Sequence, residues 1–140
     1  MDIYMRITNS PIPGDSNVKG FSNEFELYSL SYGAVNPGGK ITVTPITVSL
    51  AAYNGPQLIN AVADGRPHEI RFTIARSNFD GAPMVFETIT LTGATITSFR
   101  EMVNAGDDRP VLELAISYAG IQYTQNDIKF TFAYSKGGKF

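Results

Sequence analysis

Residues Met84–Phe99 read MVFETITLTGATITSF, a run too long and too β-branched for anything but extended chain. Apolar side chains alternate with polar ones along it, the period-two signature of a half-buried strand. The alternation then changes phase near Gly93. A glycine at a phase change marks a bulge or a bend. Long strands that bend are what a barrel or a strongly coiled sandwich requires, because its corners are turned by bulges and glycines.

The stretches on either side repeat the pattern. DIYMRIT (Asp2–Thr8) puts Ile3, Met5 and Ile7 on one face, with Tyr4 and Arg6 on the other. Turn formers fill Asn9–Gly20. In NEFELYSLSYG (Asn23–Gly33), Tyr28, Leu30 and Tyr32 fall opposite Ser29, Ser31 and Gly33. In ITVTPITVSLA (Ile41–Ala51) the apolar set moves after Pro45, as a bulge or edge position at a residue without an N–H would cause. EIRFTIAR (Glu69–Arg76) points Ile70, Phe72 and Ile74 inward, and Asp80–Gly81 is a hairpin signal. VLELAISYAGIQY (Val111–Tyr123) buries Leu112, Leu114, Ile116 and Tyr118 and shifts phase at Ala119–Gly120. DIKFTFAY (Asp127–Tyr134) offers Ile128, Phe130, Phe132 and Tyr134 to the core. The expectation is an all-β fold, a compact barrel or sandwich of about seven or more strands. With no linker and no fixed-period repeat, residues 1–140 form a single domain.

One segment departs from this. In NGPQLINAVADGR, Pro56 suits the first turn of a helix and Gly65 the left-handed position past its end. Leu58, Ile59 and Val62 make one apolar stripe. So short a helix does not persist alone in water, so it must dock, as a plug on one end of the barrel.

Composition narrows the function. At 43% hydrophobic and 17% charged residues the chain is globular, and its net charge of −2 supplies no basic footprint for nucleic acid or anionic lipid. Cysteine is absent, which removes disulfides, thiolate metal sites and Cys nucleophiles together. No window is long and apolar enough for a membrane helix, and the N-terminus lacks signal-peptide character, so the protein is expected to be made in the cytoplasm.

Candidate chemistry is thin. His68, the single histidine, has neither a GxSxG nor a second histidine to work with, so a solvated or hydrogen-bonded structural role is expected. Asp107–Asp108 and Asp64 lack the alternating spacing of a calcium loop. Glu24 and Glu26, or Glu87, Glu101 and Glu113, could in principle supply a glycosidase pair, but any β-protein of this size offers such pairs. NPGGK lacks the spacing and following helix of a phosphate loop. No catalytic residue, metal site or cofactor is expected.

The polar strand faces are the more informative feature. Ser29 and Ser31, Thr42 and Thr44, then Thr88, Thr90, Thr92, Thr95 and Thr97 are small and neutral where solvent-facing sheets normally carry Lys and Glu. Such faces suit sheets that abut a neighbouring subunit or line a wide polar channel.

The order of elements resembles the haemolysin-coregulated protein (Hcp) family, tube subunits of bacterial type VI secretion. The resemblance lies in IYMRI, the IPGDS loop and a strand ending LYSLSYG. It continues through GPQLINAVADGRPHEIRFTI and the three closing strands, so it covers nearly the whole chain. The AVNPGGK loop is short for that family, and little follows the last strand, so stacking contacts carry over least. The resemblance implies a homo-hexamer whose rings stack into a tube, driven by a contractile sheath and tipped by a spike protein. It also implies effector proteins in the lumen, secretion without a cleaved signal peptide, and no enzymatic activity. Carried over from the family strand, Ser29 and Ser31 would be lumen-lining cargo contacts. A phage-type tail tube protein and a monomeric carbohydrate- or ligand-binding β-module are the competing readings.

Overall fold

A computed structural model describes residues 1–76 and 84–133. Ten strands and one α-helix follow in chain order: β1 (Asp2–Thr8), β2 (Phe25–Ser31), β3 (Ala34–Val35), β4 (Thr42–Val43), β5 (Ile46–Ala51), α1 (Gly55–Asp64), β6 (His68–Arg76), β7 (Met84–Met102), β8 (Val111–Ser117), β9 (Gly120–Gln125) and β10 (Ile128–Ala133). The sheet order β10-β9-β7-β6-β1-β2-β5-β8 returns to β7 through a β7–β8 pairing, which closes a barrel and leaves β9 and β10 running past it. All the pairings are antiparallel.

Closure depends on the 19-residue strand β7. Its first half pairs β6 on one side and β9 on the other, and its second half pairs β8. The bend falls at Gly93, whose φ of 57° is the left-handed region, as the phase change requires. The chain crosses Ala119 closely there: a Cβ on Gly93 would lie 2.8 Å from Ala119 Cβ, and Ala119 N–H donates to Thr92 O. The phase shift expected at Ala119–Gly120 is likewise real, separating β8 from β9. At Pro45 the strand does not bulge but ends. Thr44 clamps Gly33 through its backbone N–H and its hydroxyl, and β3–β4 forms a separate small ladder.

The core is one contiguous cluster that includes Met5, Phe25, Phe72, Ile89, Leu91, Leu112 and Leu114. Each such side chain contributes on the order of 1.5–3 kcal/mol by leaving water. Helix α1 docks as expected, packing along β7 with Leu58 and Ala61 inside the same cluster. Gly65 ends it at φ 65°, its N–H donating to Ala61 O. The docking stripe differs from the expected one, because Ile59 is half exposed and Ala61 takes the inward position.

Other faces are corrected too. A register shift between Leu27 and Ser29 turns Tyr28 out to solvent and leaves Leu30 and Tyr32 packed against the core. A second shift between Ile74 and Ala75 buries Ala75 and leaves Ile74 half-buried. Tyr4, read as outward, is buried under a parallel stack with Phe21, ring centroids 4.2 Å apart. On β10 only Phe132 is buried. Ile128 and Phe130 are exposed because β10 has run beyond the barrel, and among the described residues no strand lies opposite to cover them. Asp80–Gly81 and Tyr134 lie outside the described residues.

A neutral four-strand face as the candidate functional surface

Two cross-strand rows decide what the outer wall presents. Ser29 pairs with Ser49, Ser49 with Glu113, and Glu113 with Arg100. One step along, Ser31 pairs with Thr47, Thr47 with Ala115, and Ala115 with Ser98. Strands alternate their faces, so the intervening row, Leu30, Val48, Leu114 and Phe99, points the other way into the core. The face across β2, β5, β8 and the second half of β7 therefore carries six small side chains and one charge pair.

Ser29 and Ser49 share a hydrogen bond of 2.6 Å between hydroxyls. Arg100 and Glu113 stand 3.6 Å apart and largely solvated, a pair of small energetic weight. The second serine is exposed and opposite the core-facing Leu30, so both Ser29 and Ser31 occupy the outer side of the wall. Thr47, Ser49, Ser98 and Ala115 belong to the same surface and were not singled out in the sequence. Alternation within each strand marks them, but only the register sets them beside Ser29 and Ser31. Of the sequence-level threonines, Thr88, Thr90 and Thr92 lie on the opposite half of β7, paired with β9, so the neutral residues divide between two walls.

The other candidates do not converge. Among the described residues no group of three or more metal-binding side chains comes together. Glu24 is buried and bound by Arg71 at 3.1 Å, while Glu26 is exposed, so they form no carboxylate pair. Burial pushes the Glu24 carboxyl above its usual range, and Arg71 opposes this without cancelling it. Glu87 accepts a hydrogen bond from Gln125 at 3.1 Å. Asp107 caps its own turn through Asn104. His68 departs from expectation: it is neither solvated nor hydrogen-bonded, but buried with both ring nitrogens unpartnered.

The chain is a closed β-barrel that presents a broad sheet face of small side chains with no net charge. The match to protein families carries this further: residues 4–125 fit the family described as "Type VI secretion system effector, Hcp". The chain belongs to the Hcp family and is a type VI secretion tube protein. Its fold recurs in solved structures at low identity. Hcp1 from E. coli EAEC 042 pathovar, in a mutant form, superimposes with a TM-score of 0.84 at 17% identity, covering 96% of this chain and 99% of that one. Hcp1 from Salmonella typhimurium gives 0.80 at 16% identity over 99% of both. Secreted protein Hcp3 from Pseudomonas aeruginosa gives 0.78 at 13%, covering 95% and 99%. No curated protein sequence matches the chain.

Proposed function

We propose that six copies of this chain close into a ring with the β2–β5–β8–β7 face turned to the lumen, and that rings stack into the secretion tube. The observation that carries this reading is the neutral double row from Ser29 and Ser31 to Arg100 and Ser98. A wall of small hydroxyls offers passing protein neither apolar surface nor a strong field.

The sheet edges support closure. The β1–β2 register reaches only Leu27, and the β6–β7 register only Ala94. Among the described residues, Ser29–Ser31 and Thr95–Met102 thus have a strand partner on one side only. Two different edges on one subunit suit a head-to-tail contact, which closes into a ring when the rotation allows. In this reading effector proteins ride in the lumen against Ser29 and Ser31. A contractile sheath drives the tube with a spike protein at its tip. The subunit is made in the cytoplasm and leaves without a cleaved signal, performing no catalysis.

Native mass spectrometry with electron microscopy tests it. Hexamers and ring-shaped particles are the expected result; a monomer at micromolar concentration without rings overturns the tube and favours the ligand-binding module. Tube extension inside a phage tail sheath, with no secretion by cells, would instead assign the phage-type variant.

A further inference from the structure

The segment that seats α1 also builds a cleft that the tube reading leaves unused. It measures about 320 Å³ and opens between the turn at Ser10–Ile12 and the helix residues Gln57, Asn60, Ala61 and Asp64. That is the lower end of the range for ligand pockets. Ile12 and Ala61 are its buried apolar floor. Arg66 ties its two sides together, with Nη1 donating to Ser10 Oγ at 3.2 Å. His68 also lines it, 3% exposed, with Nδ1 and Nε2 both unpartnered and out of water.

An unpaired buried donor or acceptor is costly, so a structural histidine is normally placed to bond something. A neutral imidazole offers one donor and one acceptor. The rest of the cleft is balanced in the same way. Gln57 and Asn60 each bring a carboxamide with both functions. Arg66 and Asp64 cancel in charge, and Asp64 Oδ1 already accepts the Arg66 backbone N–H at 2.8 Å. A surface with no net charge and paired donors and acceptors fits a neutral group that carries both, and a full carboxylate fits it worse.

We propose that this cleft binds a carboxamide group of a partner protein, with Gln57 and Asn60 as its outer contacts and His68 as its inner anchor. Entry displaces the exposed Arg66–Ser10 hydrogen bond and gives the imidazole its missing partner. The group comes from the partner's main chain or from an Asn or Gln side chain.

Because His68 is the sole histidine, its ring gives one set of imidazole resonances in the intact protein. Titration with N-methylacetamide, propionamide and sodium acetate, followed on those resonances, tests the assignment. Saturable shifts with at least one of the two amides are expected. Stronger response to N-methylacetamide assigns the main chain, and to propionamide a side chain. Asn60→Ala and Gln57→Ala, both at exposed positions, are expected to weaken amide binding about fivefold each while preserving the fold. Unchanged resonances with both amides, acetate binding more tightly than either, or amide affinity unaltered in the double variant would overturn the proposal.

Discussion

Glu24 holds its carboxyl in the barrel wall bound by Arg71 at 3.1 Å, with Arg6 adding a weaker attraction, while its Oε1 has no hydrogen-bond partner. Burial raises its pKa more than Arg71 lowers it. A carboxyl with a folded pKa above its unfolded one stabilises the fold fully below the unfolded value. That contribution disappears as pH rises through the folded value. As pH rises above the usual glutamate range the wild type should therefore lose stability from this group. Glu24→Gln should flatten the profile and melt no lower than wild type at neutral pH; calorimetry from that range up to neutral pH checks it. Gly93 is the second informative residue. Gly93→Ala puts a methyl group 2.8 Å from Ala119 Cβ at a φ of 57°, and should cost about 1–3 kcal/mol in urea unfolding. His68 shows where reading single residues stops. Its place at a strand start was legible, but its burial depends on α1 and the Ser10–Ile12 turn closing over it, which no local pattern encodes.

At the scale of elements, the sequence resolved what alternation and punctuation encode. The break at Pro45, the bend at Gly93, the shift at Ala119 and the helix ended by Gly65 all fall where the residues put them. Of the five faces misread, three show the tertiary reason most plainly. The Leu27–Ser29 register shift turns Tyr28 outward, and no glycine or proline announces it. On α1, Ala61 is inward and Ile59 outward, because the helix lies close against β7 and its apolar stripe rotates toward the smaller residue. On β10 the period is correct, yet among the described residues no strand lies opposite this overhang. The last point is measurable. Ile128→Thr should change the stability of the isolated subunit by less than about 0.5 kcal/mol, since the side chain is 76% exposed, whereas Leu58→Ala should cost about 2–5 kcal/mol. Equal losses in chemical denaturation would show that β10 folds back over the core.

At the scale of the molecule, the barrel separates stability from the surface it presents. The row of Leu30, Val48, Leu114 and Phe99 holds the wall from within, and the neighbouring rows face away from it. On the proposed ring, substitutions on the outer rows would change what meets the lumen without loosening the wall. Ser31 is the sharpest place to test this: it is exposed, and its cross-strand partner Thr47 is exposed as well. Ser31→Arg introduces a long cation that projects outward, so unfolding should shift by less than about 0.5 kcal/mol. In a ring the same change is repeated in every subunit at one height, and like charges facing a shared channel add to a field no monomer carries. If the proposed ring is right, the variant keeps its melting temperature and the hexamer in native mass spectrometry while losing retention of a co-expressed effector. Loss of folding would place Ser31 in the core, and loss of the hexamer alone would place it at the contact between subunits. Retention equal to wild type in an intact ring would show that cargo does not touch this face.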